Sequence, residues 1–206
     1  IRFARAYMGK LWIFVNNSGL YKIDMSTFKI EDHYTLLTDY EGNSLRTFYI
    51  DKKGYIWFGT IDGIYIFDPT DGKLSHYKHS RTDPFSLPNN SIWEISEDRQ
   101  SNVWIGTYSG TLCYVNIDEN NAFKTYHPQN SGLNHTPVSA FAEDQQYLWV
   151  GTEGGGINRM NKATGEFSYI TSANSITSNN IKSLITDAGH NLWISTFMGG
   201  LDLYNV

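Results

Sequence analysis

The sequence contains little cysteine, no long apolar run and no excess of positive charge. Cys113 is the only cysteine among the 206 residues, so no disulfide can form within the chain. No stretch of 18 or more apolar residues is present, which argues against a transmembrane helix in this sequence. Lysine and arginine number 16 against 21 aspartate and glutamate, a net charge of -5. Because no basic run is present, nucleic acid is not expected as a partner.

Aromatic residues, by contrast, are abundant, at 15% of the chain, and rings pack well on the pleated surface of a sheet. One short segment recurs five times, as LWIF, IWFGT, VWIGT, LWVGT and LWIST. Its tryptophans are Trp12, Trp57, Trp104, Trp149 and Trp193, which stand 45, 47, 45 and 44 residues apart. A β-rich repeat of this period is typical of a β-propeller, whose small sheets bury their faces against one another. The sequence therefore predicts an all-β propeller fold.

Each repeat of about 45 residues has room for four antiparallel strands, A to D. Strand A ends at an aspartate that is expected to cap the next turn, and strand B carries the tryptophan, which is expected to pack between blades. Glycines such as Gly63 and Gly156 are expected to form the turn from B to C. The aspartates are Asp51, Asp98, Asp144 and Asp187. The predicted blades cover about residues 1–34, 35–81, 82–128, 129–172 and 173–206.

By this count the sequence contains four full blades and three strands of a fifth, and it opens inside a strand A. No additional strand is available to close a five-bladed ring. We therefore expect an arc of a larger propeller. The two end faces of such an arc would expose apolar sheet, which predicts self-association.

The strand and turn motifs, together with the segments SLPNNSIWEISED and SITSNNIKSLITD, resemble the two-component regulator propeller repeat. The resemblance covers nearly the whole chain. It implies a seven-bladed ring in the periplasmic sensor region of a hybrid histidine kinase, an inner-membrane protein with further sensor, kinase and regulator parts downstream. The chain departs from the repeat at Phe14 and Val15, at Ser195, and in the loop HPQNSGLNHTP, which lacks the usual Asn-Asn-Ile.

No set of residues stands out as catalytic. The run GTEGGG at residues 151–156 is followed by a predicted strand, whereas a phosphate loop would precede a helix, so we interpret it as a hairpin turn. The histidines do not fall in one repeat column, and no G-x-S-x-G nucleophile motif is present. Neither a metal site nor a cofactor is expected, and the segment is predicted not to be an enzyme.

The loops between strands D and A and between B and C open on the same end of a propeller and differ most between copies. Loops held by a rigid scaffold usually carry function. Aromatic faces combined with amide and charged groups suit sugar binding, so an oligosaccharide is the expected ligand. The candidate ligand-binding residues on this rim are Arg46, Asn90, Trp93, Tyr108, Glu153, Asn180, Lys182 and Phe197.

Three functions remain open from the sequence. The favoured one is a ligand-sensing module that passes a change in arrangement to a kinase across the membrane. The second is a scaffold for dimerisation or protein interaction, which binds no ligand itself. The third is a propeller lyase or hydrolase, which would need a histidine with acidic or metal partners at one end of the channel.

Overall fold

The computed structural model describes residues 1–37, 45–108, 111–116, 122–126 and 131–206 of the chain. Within these ranges the chain forms 19 β-strands and no helix, which confirms the all-β prediction. In this part of the chain no helix is long and apolar enough to cross a membrane.

The strands group into five sheets in chain order. The first sheet contains β1 (Phe3–Tyr7), β2 (Lys10–Val15), β3 (Gly19–Asp24) and β4 (Ile30–Tyr34). The second contains β5 (Leu45–Ile50), β6 (Ile56–Thr60), β7 (Gly63–Asp68) and β8 (Lys73–Tyr77). The third contains β9 (Ile92–Glu97), β10 (Val103–Thr107), β11 (Leu112–Val115) and β12 (Lys124–Tyr126). The fourth contains β13 (Val138–Glu143), β14 (Tyr147–Thr152), β15 (Gly156–Asn161) and β16 (Phe167–Ile170), and the fifth contains β17 (Ile181–Thr186), β18 (Asn191–Thr196) and β19 (Gly200–Asn205).

Each sheet is an antiparallel meander, so strands A, B, C and D are neighbours in sequence and in space. The first strands of successive sheets also contact one another, as β5 does with β9, β9 with β13, and β13 with β17. Strands A therefore lie on the inside of the arc and strands D on the outside. Four four-stranded blades and one three-stranded blade are present, as the repeat count predicted.

The hydrophobic core lies between blades, where the repeated tryptophan of each of the first four blades packs against the blade that follows it. Trp57 of the second blade clusters with Ile92 and Ile105 of the third, and Trp149 of the fourth clusters with Leu192 and Ile194 of the fifth. Trp57 and Trp149 are fully buried. These contacts confirm that the repeated tryptophan is an inter-blade packing residue.

The aspartate at the end of strand A makes two kinds of hydrogen bond. One carboxylate oxygen of Asp51 accepts the backbone N–H groups of Lys53 and Tyr55, at 3.0 and 2.9 Å, which confirms the predicted turn cap. The other oxygen accepts the indole N–H of Trp57 at 2.8 Å, a bond that the sequence did not predict. The same indole bond joins Trp104 to Asp98, Trp149 to Asp144, and Trp193 to Asp187.

The first blade lacks this aspartate. Its A–B hairpin is shorter, with Ala6 opposite Leu11 and Tyr7 opposite Lys10, and no carboxylate follows strand A. The indole nitrogen of Trp12 is buried and has no hydrogen-bond partner in the part of the chain that the structure describes. Trp12 is therefore held by packing alone, unlike the four later tryptophans.

Glycine is required in the B–C turn by a close backbone approach. Gly63 has a φ of 104°, and a Cβ there would lie 2.3 Å from the carbonyl oxygen of Tyr77. Gly156 has a φ of 73° and would meet the carbonyl oxygen of Ile170 at 2.3 Å. Side chains are disfavoured at such φ values, so these glycines serve the hairpin and bring strand C against strand D. The corresponding Gly110 lies outside the described residues.

Two of the histidines, His33 and His76, occupy equivalent positions opposite strand C in the first and second blades. His33 stacks on Tyr21 with ring centroids 4.1 Å apart, and His76 stacks on Tyr65 at 3.8 Å. In both blades a ring nitrogen of the histidine lies within hydrogen-bond distance of a carbonyl oxygen in the B–C turn. Because the loops differ in length, the two histidines lie at different distances along the sequence from the tryptophans of their blades. They nevertheless occupy equivalent positions in their sheets.

Candidate functional site

Three of the predicted rim residues form one aromatic cluster. Trp93 is the second residue of β9 and Tyr108 follows β10, and their ring centroids lie 5.4 Å apart. The guanidinium carbon of Arg46, from the neighbouring blade, lies 4.9 Å from the Trp93 ring centroid and 5.9 Å from that of Tyr108. The side chain of Tyr108 is 54% exposed. We call Arg46, Trp93 and Tyr108 the aromatic rim cluster.

Three further predicted residues meet on the fourth and fifth blades. The Lys182 ammonium donates a hydrogen bond to the Glu153 carboxylate and lies 5.5 Å from the Phe197 ring centroid. Backbone bonds position both turns, since the N–H of Glu153 donates to the Pro137 carbonyl and that of Phe197 to the Asn180 carbonyl. The ion pair is partly exposed, so it orients Lys182 and adds little stability.

The two predicted asparagines serve the loops. The side-chain oxygen of Asn90 accepts the backbone N–H of His79 at 2.6 Å, and its carbonyl accepts the N–H of Gly63 at 2.7 Å. Asn180 is exposed and lies in an isolated bridge with Glu153. Asn90 therefore joins the second blade to the loop that precedes the third, whereas the Asn180 side chain faces solvent.

A groove between the inner strands was missed by the sequence analysis. It has a volume of about 300 Å³ and is lined by residues from all five blades, among them Arg5, Tyr49, Glu94 and Lys182. Lys182 thus belongs to both the rim and this groove, which we call the inner groove. A search by repeat column could not find it, because Arg5 and Glu94 have no counterpart of the same chemistry in other copies.

The most perturbed carboxyl group in the inner groove is that of Glu94. Burial raises its pKa to about 7, and the hydrogen bonds and the Arg5 charge that favour ionisation offset this only in part. Strongly shifted carboxyls in clefts are characteristic of functional sites, although structural networks can shift them as well. Tyr49, on the same groove, also has its pKa raised, mainly by burial.

Other reactive groups do not converge. No cluster of three or more histidine, cysteine, aspartate or glutamate side chains that could hold a metal occurs within the described ranges. Cys113 is fully buried in the core between the second and third blades, and burial raises the pKa of its thiol. The glycine run at 154–156 turns β14 into β15, as expected for a hairpin.

Comparison with known families identifies the repeats. The family model of the two component regulator propeller matches residues 39–62, 86–109 and 132–154. These three segments are similar to the two-component regulator propeller repeat. They cover roughly a third of the chain, and each contains strands A and B of one blade.

The matched propeller repeats contain Arg46, Asn90, Trp93, Tyr108 and Glu153, whereas Asn180, Lys182 and Phe197 lie in the unmatched fifth blade. The first and fifth blades, which lack the Gly-Thr pair after the tryptophan, are the two without a match. The third match begins within the loop that lacks Asn-Asn-Ile. That departure therefore does not prevent recognition of the repeat.

Whole-chain comparisons show similarity to bacterial signalling and surface proteins. The chain is 28% identical over 212 aligned residues to histidine kinase P4 of Formosa agariphila, covering 95% of the chain and 15% of that protein. It aligns over its full length with the extracellular domain of a putative hybrid two component system of B. thetaiotaomicron, at 21% identity and a TM-score of 0.66, covering 32% of that domain. It is also similar to PorZ, a surface component of the type-IX secretion system of Porphyromonas gingivalis, at 15% identity and a TM-score of 0.52, covering 98% of the chain and 38% of PorZ. At these identities the structural similarity establishes the propeller fold, and the chain spans only a minor part of each relative.

Proposed function

We propose that this chain is part of the sensor region of a hybrid two-component system and that it binds an oligosaccharide at the aromatic rim cluster. The three propeller repeats, the histidine kinase relative and the fold shared with an extracellular sensor domain support the assignment to sensing. In this proposal the segment is not catalytic and works in the periplasm, as part of an inner-membrane protein.

The aromatic rim cluster is the observation that carries the ligand proposal. The two aromatic rings of the cluster, one of them half-exposed, offer apolar faces to the C–H surface of a sugar ring. Arg46 stacks on both rings, which holds its planar guanidinium beside them with N–H donors available for sugar hydroxyls. Rigid apolar surface with a few placed polar groups is the usual composition of a small-molecule site.

The second rim group would extend the site along the same end of the propeller. Glu153 and Lys182 supply an acceptor and a donor, and Phe197 supplies another half-exposed ring. A ligand that contacts both groups would connect the third blade with the fifth. Binding would then alter the arrangement of blades, which downstream parts of the parent protein would transmit to its kinase.

Calorimetric titration of the chain with a panel of neutral and acidic oligosaccharides tests the proposal. We expect at least one oligosaccharide to bind, and Trp93→Ala or Tyr108→Ala to weaken it roughly tenfold, because a stacked aromatic surface contributes about 1 kcal/mol or more. Phe28→Ala is the matched control, since Phe28 is 82% exposed and lies in a C–D turn, away from the rim. Unchanged affinity in both rim variants would rule out this site.

A second function, self-association through a blade face, is favoured by the exposed side of the fifth blade. Ile185, Trp193 and Leu203 lie side by side across β17, β18 and β19. Their exposed fractions are 62, 38 and 56%. In the second blade the equivalent row, Tyr49, Trp57 and Ile66, packs against the third blade. A scaffold function would use this face and would leave the rim without a ligand.

A further inference from the structure

The inner groove has the size and composition of a small ligand site. Its volume of about 300 Å³ lies at the lower end of the range of roughly 300–1,000 Å³ that is usual for ligand pockets. Its apolar walls come from Ala140, Phe141 and Leu184, and its polar side chains come from strands of all five blades. The groove is therefore formed only when all five blades are assembled.

Several polar side chains in the groove make no ion pair or side-chain hydrogen bond within the described ranges. Arg5 makes no ion pair within the described residues, and its guanidinium carbon lies 5.8 Å from the Tyr49 ring centroid. The hydroxyls of Ser96 and Ser183 make no side-chain hydrogen bond to any other described residue. By contrast, the Ser139 hydroxyl donates to the Ile181 carbonyl at 2.7 Å and is occupied. Arg5, Ser96 and Ser183 thus present free donors towards the same space.

The charged groups on the groove favour an anion. Arg5 and Lys182 are cationic, and Lys182 shares its charge with Glu153. Among the described residues, Glu94 is the one carboxyl that lines the groove, and with a pKa of about 7 it is half protonated at neutral pH. Tyr49, the remaining titratable group there, is neutral at that pH, since its pKa is raised above the usual value near 10. Below pH 7 the groove therefore has net positive charge and hydrogen-bond donors from the guanidinium, two hydroxyls and a protonated carboxyl.

We propose that the inner groove is a second ligand site, which binds a small organic carboxylate of the size of one sugar acid. The Arg5 guanidinium, whose carbon lies 5.8 Å from the Tyr49 ring centroid, would donate two N–H hydrogen bonds to the carboxylate, which is the geometry that favours arginine over lysine. Ser96, Ser183 and the protonated Glu94 would bind hydroxyl groups of the same ligand. The site does not require the aromatic rim cluster to bind a sugar.

Galacturonate and galactose are the probes, because they differ mainly in a carboxylate that replaces a hydroxymethyl group. In NMR titrations of the chain at pH 6, we expect galacturonate to shift the resonances of groove residues and galactose to bind at least about tenfold more weakly. Arg5→Ala should weaken galacturonate binding by a similar factor. Arg99→Ala is the matched control, since Arg99 pairs with Glu143 at 3.6 Å and does not line the groove.

The pH dependence separates this site from a general attraction of anions. Affinity for galacturonate should fall between pH 6 and pH 8, as Glu94 ionises and repels the bound carboxylate. Glu94→Gln keeps a neutral hydrogen-bonding group, so this variant should retain the affinity seen at pH 6 and lose the pH dependence.

Equal binding of the two sugars, an unchanged affinity in Arg5→Ala, or an unaltered pH slope in Glu94→Gln would overturn the proposal. Tyr108→Ala distinguishes the two sites. That variant should bind galacturonate normally even if it no longer binds an oligosaccharide at the rim. The two proposals can therefore fail independently of each other.

Discussion

At the residue scale, the pairing of tryptophan with aspartate explains why both recur in the chain. The carboxylate of Asp51 organises the A–B turn with one oxygen and holds the Trp57 ring against the next blade with the other. The sequence predicted the turn cap and the packing position separately, since each follows from local spacing. The bond between them depends on how the hairpin folds back, which spacing alone does not reveal.

The missing bond of Trp12 allows the contribution of this pair to be measured. Trp57→Phe should lower the free energy of unfolding by about 1–3 kcal/mol more than Trp12→Phe does, because it leaves a buried carboxylate oxygen without its donor. Both indoles are at least 96% buried, so the loss of ring volume is comparable. Urea denaturation of the two variants gives the difference. Equal losses would mean that the indole bond contributes no net stability.

The rim residues also show what can be predicted by comparing equivalent positions of the repeats. Arg46 and Trp93 occupy equivalent positions at the start of strand A, and the structure places them in contact because adjacent inner strands lie side by side. Glu94 and Arg5 could not be predicted by the same comparison of repeat positions. The strand position of Arg5 is taken by Tyr49, Ser96 and Ile185 in other blades, so its chemistry changes at every copy. Convergence of unlike residues requires the curvature of the arc, which the sequence does not encode in any one repeat.

At the scale of the element, the surroundings of the aspartate that ends strand A depend on whether another blade packs against its own. Asp51 and Asp187 have equivalent hydrogen bonds, each accepting an indole N–H and backbone N–H groups of its own turn. The third blade packs against the Trp57 face of the second, whereas no blade follows the fifth in the described chain. The difference in surroundings should be visible in the acid–base behaviour of the two side chains.

We expect these two aspartates to titrate far apart. Hydrogen bonds from Asn191 and Trp193 lower the pKa of the partly exposed Asp187 to about 2, whereas burial outweighs the same kind of bonds at Asp51 and raises its pKa above the usual 3.8. Ionised Asp187 therefore stabilises the folded state above about pH 4, and this stabilisation is lost as the pH falls through 2. Protonation of Asp51 begins at a higher pH. Carboxyl-carbon NMR titration measures both values, and coincident midpoints would show that burial between blades does not control them.

At the scale of the whole molecule, the five blades follow one another along the chain, and the tryptophan row of the fifth is exposed. The same packing recurs between successive blades: each blade covers the tryptophan row of the preceding blade. The repeat period and the strand order were predictable because they follow from patterns within one copy. The association state could not be predicted in this way, because it depends on which surfaces meet the uncovered row of the fifth blade.

Self-association through that row is therefore the prediction for the whole chain. Ile185, Trp193 and Leu203 form a contiguous apolar surface, and burying it against a second copy would remove it from water. In sedimentation velocity we expect the chain to associate with rising concentration, and Leu203→Glu to shift it towards the monomer by placing a charge in the row. Met198→Glu is the matched control, because Met198 is 92% exposed but lies in the B–C turn outside this row. If both variants associate as the parent chain does, the contact lies elsewhere; a parent chain that remains monomeric would show that the exposed row does not drive association on its own.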